Sequence, residues 1–347
     1  LAFASSVQLP GGVPGDREAH PLNTSTLRRR SVPAAAVLSL ALALSACGGS
    51  NEEQATGGSG DGGEELSGEV LADGSSTVQP LTAAAGELFA EEAPGVNVSV
   101  GTSGTGGGFE VFCQGQTDVS NASRPINDEE IAACEEAGIG FTELQVATDA
   151  LTVVTSAEND FITCLTTEEL ATLWGPDAEG QVTTWDQVNP DFPSEPIELY
   201  GPGTDSGTFD YFTDEINGEE GVSRTDYNAS EDDNVIVQGV SGSPNALGYF
   251  GFTYFEENAE ALKAVEIDSG EGCVAPSAET AQDGSYTPLA RPLFIYVNNA
   301  SAAEKPQVKA FVDFYAQNDA EIAEAAQYIP LNEDQQSELQ DAAASLG

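Results

Sequence analysis

Val70-Leu71-Ala72-Asp73-Gly74-Ser75-Ser76-Thr77-Val78-Gln79-Pro80 holds three readings in eleven residues. Val70-Leu71-Ala72 fits a short buried strand. Asp73 to Thr77 is a turn of Gly and hydroxyl residues. From Val78 to about Glu92 the spacing fits a helix, with Ser and Thr where N-caps belong. The pattern recurs twice. Val96 to Val100 alternates as a strand and enters Gly101-Thr102-Ser103-Gly104-Thr105-Gly106-Gly107-Gly108, with a helix predicted from Phe109. Ile197 to Tyr200 enters Gly201-Pro202-Gly203-Thr204-Asp205-Ser206-Gly207-Thr208, with a helix predicted over Phe209 to Ile216. Elsewhere, strands are predicted at Asp118–Ser123, Gln145–Thr155, Ala246–Phe252, Leu262–Ile267 and Pro292–Asn298. Helices are predicted at Asp128–Ala137, Thr166–Trp174, Gln307–Gln317, Asp319–Gln327 and Glu333–Ser345. Strands alternating with helices imply an α/β fold with a largely parallel sheet.

Each of the three junctions is physically an anion cradle. The first-turn N–H groups of a helix lack intrahelical partners, and the dipole places partial positive charge there. Gly lets backbone approach a ligand and hydroxyls add donors. In open α/β sheets such junctions lie at the carboxyl ends of strands, where ligands bind. The candidate donors are Ser75, Ser76 and Thr77, then Ser103, Thr105 and Gly106, then Asp205, Ser206, Gly207 and Thr208. No Gly-Lys-Ser/Thr follows any of them, so none is a P-loop. One cation stands beside them at Ser123-Arg124-Pro125. Arginine presents paired N–H donors that suit a tetrahedral oxyanion.

The 347 residues carry 10 basic against 58 acidic side chains, a net charge of −48. Such a surface repels nucleic acid and anionic lipid. The single histidine is His20, which precedes a predicted cleavage site. Without it, Ser-His-Asp and Cys-His nucleophiles and histidine zinc sites are excluded, and no catalytic residue or metal site is expected. There is no methionine, even at position 1, and residues 1–27 show no targeting pattern; they are read as a misassigned start.

Arg28-Arg29-Arg30 precedes an apolar run, Val32 to Ala46, and then Leu44-Ser45-Ala46-Cys47. A basic region, a short apolar region and small residues describe a signal peptide over 1–46. The Cys resembles that of a bacterial lipobox, so Cys47 is the expected lipidation site. Residues 47–68, rich in Gly, Ser, Glu and Asp, read as a flexible tether to the membrane.

Taken together, Ala72 to Pro80, Gly101 to Phe109, Asp118-Val119-Ser120-Asn121-Ala122-Ser123-Arg124-Pro125-Ile126 and Asp205-Ser206-Gly207-Thr208 resemble the PstS-type phosphate-binding proteins of ABC importers in order and spacing. Asn245-Ala246-Leu247-Gly248-Tyr249 resembles a further family segment. The resemblance implies a two-lobed periplasmic-binding-protein fold of class II type, with a hinge and a ligand cleft. It implies lobe I over 69–150 and 291–347 and lobe II over 151–290. The expected ligand is inorganic phosphate, with no cofactor. The expected partners are ABC permease and ATPase subunits and, through the lipid, the membrane; a monomer is expected. Cys113, Cys134, Cys164 and Cys273 suggest two disulfides. Of three pairings, Cys113–Cys134 and Cys164–Cys273 are preferred, because each closes within one predicted lobe.

The chain departs from some family members in two places. Arg124 stands where they carry Asp, and Pro202 where they carry Arg. A buried carboxylate accepts a hydrogen bond only from a protonated oxyanion, which favours hydrogen phosphate over sulfate. Asp205 is the nearest substitute in sequence and Asp149 the second. Sulfate is therefore the alternative ligand, and an extracellular phosphatase a less favoured alternative function.

Overall fold

The computed structural model describes residues 66–346. The predicted signal peptide, Cys47 and almost all of the predicted tether lie outside them. The first half runs β1 (Ser67–Gly74), α1 (Gln79–Glu92), β2 (Gly95–Val100), α2 (Gly104–Phe112), β3 (Val119–Ala122), α3 (Asp128–Ala137) and β4 (Phe141–Ser156). Next come β5 (Cys164–Thr166), α4 (Thr167–Trp174), β6 (Glu198–Gly201), α5 (Gly207–Phe212), β7 (Asn228–Ala229) and α6 (Asp233–Ser241). They are followed by β8 (Ala246–Gly251), α7 (Phe252–Asn258), β9 (Leu262–Ala264), β10 (Glu266–Asp268), β11 (Cys273–Val274) and α8 (Ala278–Gln282). The chain ends with β12 (Ala290–Asn298), α9 (Asn299–Glu304), α10 (Pro306–Gln317), α11 (Asp319–Ala325) and α12 (Glu333–Ala344).

The main sheet has the order β2-β1-β3-β12-β4-β8-β6-β7, with β9 added beside β4. Its flanks are parallel, β2-β1-β3 on one side and β8-β6-β7 on the other. The centre is antiparallel, because β12 runs against both β3 and β4, and β4 against β8. The expectation of a largely parallel sheet therefore holds only for the flanks. Helical crossovers enforce parallel pairing on each flank, whereas β4 and β12 carry the chain across the middle in opposite directions.

β4 explains how one sheet serves two cores. Over Phe141–Ala150 it pairs with β12, and over Leu151–Ser156 with β8 and β9. One apolar core gathers residues from Val70 to Ala147 and again from Leu293 to Leu346. The other lies wholly between Leu151 and Leu289 and encloses Trp174 and Trp185. A small third cluster packs Phe109, Phe112 and Tyr296 around Cys113 and Cys134. The bridges are Cys113–Cys134 and Cys164–Cys273, the preferred pairing.

Several predicted elements changed. β4 begins four residues before the predicted Gln145, and the helix predicted over Phe209–Ile216 is α5 from Gly207 to Phe212 followed by a π-helical turn, Thr213–Asn217. The Leu262–Ile267 stretch divides into β9 and β10, which join different sheets. The helix predicted from Phe109 begins five residues earlier, at Gly104. Glycine disfavours a helix by roughly 1 kcal/mol per residue, so Gly106-Gly107-Gly108 argued against one. Packing overrides this, because a Cβ on Gly108 would lie 2.5 Å from the Cα of Gly74. Only a glycine lets α2 approach the end of β1 so closely.

Candidate anion-binding site

The first cradle is built around Asp73. Its Oδ1 accepts from the N–H of Gly74 at 2.8 Å and from that of Ser103 at 3.0 Å, tying the first loop to the second. Ser75 N–H donates to Asn121 C=O at 2.9 Å, which fixes the first loop to the end of β3. The second loop is tied to the third sequence motif by Thr105. Its Oγ1 lies 3.1 Å from Ser123 Oγ and accepts from Ser123 N–H at 3.2 Å. Three segments distant in sequence are thus held as one wall by short polar links.

The opposite wall comes from α5. Ser206 is its N-cap, with Oγ accepting from Thr208 N–H at 3.2 Å. A Cβ on Gly207 would lie 3.2 Å from Thr77 Oγ1 and 4.0 Å from Ser76 Oγ, so the N-terminus of α5 faces the first cradle directly. Between the walls is a cavity of about 580 Å³. Ser75, Ser76, Thr77, Ser103, Thr105 and Gly106 line it from one side, with Arg124. Gly207 lines it from the other. A second cavity of about 220 Å³ shares Ser76, Thr77 and Gly207 with it and adds Thr208 and Asp149. Asp205 and Ser206 line neither cavity, and Asp205 is exposed.

Arg124 sits over Phe109, 5.8 Å from the ring centre, and is paired with Glu130 at 2.8 Å. A second arginine, Arg291, also lines the main cavity. Its Nη2 donates to Thr77 Oγ1 at 3.1 Å and its Nε to Asp149 Oδ2 at 3.2 Å. Arg124 is therefore not the sole charged donor of the cleft. Arg291 stands just before the strand predicted at Pro292–Asn298 and outside every Gly/Ser/Thr loop, so the cradle pattern does not include it. One signal was present: both cleft arginines precede a proline, as Arg124-Pro125 and Arg291-Pro292.

The α5 side is acidic. Asp210 of α5, Asp214 and Glu215 of the π-helical turn that follows it, and Glu220 line the cavity. Burial and the nearby Glu220 push the Asp210 carboxyl above its ordinary value, with Arg291 opposing. Burial pushes Asp149 up as well, against the pull of Arg291. Among the described residues, Cys164, Glu266 and Cys273 are the one grouping with metal-ligand spacing, and the two sulfurs are bonded to each other.

A model of the PBP superfamily domain matches residues 54–319. A phosphate-binding protein PstS from Staphylococcus saprophyticus is 42% identical, over 86% of this chain and 91% of its own. The chain belongs to the PstS-type phosphate-binding proteins. Protein SphX from Synechocystis is 46% identical, over 89% of this chain and 87% of its own. A crystal structure of "a possible phosphate binding protein" from Planctomyces limnophilus is 44% identical. It superposes with a TM-score of 0.76, covering 81% of this chain and 99% of that one. The two-lobed periplasmic-binding-protein fold predicted from the motifs is thus the fold of the molecule.

Proposed function

We propose that the cleft captures inorganic phosphate outside the membrane and that the chain delivers it to the permease of an ABC importer. The observation that carries this reading is the convergence of two arginines and the hydroxyls and amides of three strand-to-helix loops on one cavity. Only six basic residues follow Cys47 in the sequence, and two of them meet here. The other four bind carboxylates or backbone carbonyls elsewhere. The relatives named as phosphate-binding proteins support phosphate as the anion. The ligand set is Ser75, Ser76, Thr77, Ser103, Thr105, Gly106, Arg124 and Gly207, with Ser206 and Thr208 holding the start of α5 in place.

The rest of the reading follows from the sequence. Residues 1–46 direct export, Cys47 carries the lipid, and 47–68 tether the binding domain. Lobe I (69–150 and 291–347) and lobe II (151–290) close over the ligand as rigid bodies, with the separate apolar cores as support. Catalysis plays no part.

Selectivity for phosphate over sulfate is assigned to the acidic α5 wall, Asp210 foremost. Asp205 lies outside the cavity and Asp149 is engaged by Arg291. Asp210 lies one helical turn from Gly207 and has no side-chain hydrogen bond among the described residues. Its carboxylate is free to accept a hydrogen bond from a protonated phosphate oxygen, which sulfate cannot donate.

Calorimetry on the purified protein tests the reading. Phosphate should bind at one site, and Arg124→Ala should cost about 2–3 kcal/mol, the worth of a charged hydrogen-bond partner. Arg124→Ala binding like the parent would remove the assignment. Asp210→Asn should let sulfate compete where the parent excludes it; sulfate displacing phosphate from the parent would favour the alternative oxyanion.

A further inference from the structure

Arg291 and Asp149 face each other in register across β12 and β4. Both stand at the crossing between the two cores. On β12, Leu289 just before the strand belongs to the core of lobe II and Leu293 to that of lobe I. On β4, Ala147 belongs to the core of lobe I and Leu151 to that of lobe II. From this crossing the Arg291 guanidinium reaches both lobes. Nη2 donates to Thr77 Oγ1 in the first cradle at 3.1 Å. Its planar face stacks on Tyr211 of α5, with Cζ 3.6 Å from the ring centre. Tyr211 is fixed in turn, its ring buried and its hydroxyl donating to Pro288 C=O at 2.6 Å.

We propose that Arg291 is a positioning residue that clamps the cleft, joining Thr77 of lobe I to Tyr211 of lobe II under the control of Asp149. The proposal rests on the phosphate reading of the cavity and adds what holds its walls together. Two consequences follow from the chemistry. Thr77 Oγ1 accepts from a cation, so its own hydrogen is left to donate to an anion. The stack on Tyr211 is worth more in a partly desolvated site than at the surface, and Asp149 orients the guanidinium so that one face meets the ring. Arginine is required, because a lysine cannot bridge Asp149 and Thr77 while lying flat on an aromatic ring.

Small-angle scattering and amide exchange of the purified protein, each with and without inorganic phosphate, test the clamp. Arg291→Gln and Tyr211→Leu should both give a larger radius of gyration than the parent in the absence of phosphate. Both should exchange faster at the amides of Thr77 and Gly207. Tyr211→Leu leaves the Asp149–Arg291 pair in place, so it decides the matter if Arg291→Gln does not fold. Tyr211→Phe keeps the stack but loses the bond to Pro288, and should lie closer to the parent than Tyr211→Leu. Phosphate affinity should fall about tenfold or more in Arg291→Gln and to an intermediate degree in Arg291→Lys. If Arg291→Gln and Tyr211→Leu are as compact and as protected as the parent, the clamp is wrong, even where affinity falls. If the parent fails to bind phosphate, the proposed ligand falls, while the ligand-free scattering still decides the clamp.

Discussion

Arg124 grips both oxygens of the Glu130 carboxylate, Nη1 to Oε2 at 2.9 Å and Nη2 to Oε1 at 2.8 Å. This pairing uses the end of the guanidinium. The Nε–H and the second Nη2–H, which form its side edge, make no protein hydrogen bond among the described residues. That edge is itself a fork suited to two oxygens of a tetrahedral anion. Glu130 therefore sets the orientation of Arg124 instead of competing for the same donors. Arg124→Lys should cost more phosphate affinity than Glu130→Gln, because a lysine has no second edge. Glu130→Gln should weaken binding less than about tenfold, since the amide oxygen still accepts one bond. Isothermal titration of the two variants beside the parent gives the order; Glu130→Gln falling below Arg124→Lys would refute it.

The same pair has a signature in stability. Partial burial raises the Glu130 carboxyl, but the Arg124 guanidinium and the Asn127 N–H outweigh it and hold the group below its ordinary value. A carboxyl with a depressed folded value stabilises above its unfolded pKa of about 4.3, and this contribution is lost as pH falls through the folded value. Glu130→Gln removes that dependence. Its unfolding midpoint in urea should fall less steeply than the parent's between about pH 5 and pH 3. The pair is partly exposed, so the difference is small and is read as a change in slope.

Two glycines of the cradles should separate stability from binding. At Gly108 a methyl would meet backbone, the Cα of Gly74 at 2.5 Å. Overpacking of this kind costs about 1–3 kcal/mol, less the roughly 1 kcal/mol that alanine gains in a helix. Gly108→Ala should lower the melting temperature by about a few degrees. At Gly207 a methyl would meet Thr77 Oγ1 at 3.2 Å, across the cleft. That contact can be relieved by parting the walls. Gly207→Ala should melt like the parent yet bind phosphate about tenfold more weakly. The reverse pattern would mean that Gly207 is buried in a fixed interface and that the cavity does not open there.

What was legible in the sequence was local. Ser76, Thr77, Thr105 and Gly207 announced themselves because a cradle is a run of consecutive residues at a strand-to-helix boundary. Arg291 was hidden because its partners are set by tertiary pairing, Thr77 lying 214 positions away and Asp149 142. Asp210 was hidden by the abundance of acids: among 58 carboxylates, nothing in its neighbours marks one that faces a cavity. The helical start at Gly104 was hidden because propensity and packing disagree there, and packing won. Antiparallel pairing at the centre depends on where β12 returns, which no stretch around Pro292 encodes alone.

The two disulfides should prove unequal in both access and effect. Cys113 and Cys134 are buried at 4% and 0% exposure, packed with Phe109 and Phe112. Cys273 is exposed and Cys164 half-buried. A reductant without denaturant should therefore open Cys164–Cys273 first, since attack needs access to sulfur. That bridge spans 109 residues against 21 for the other. On the chain-entropy account, the longer loop contributes more stability, by about 1.5 kcal/mol. Cys273 is exposed, so the parted and alkylated sulfurs can turn toward solvent with little loss of packing, and the loss reports mainly the unfolded state. Partial reduction with alkylation should yield a species labelled at Cys164 and Cys273 alone, less stable than the parent by about 4–5 kcal/mol in urea unfolding. Labelling at Cys113 first, or a loss below about 2 kcal/mol, would show that burial or loop length does not govern these bonds.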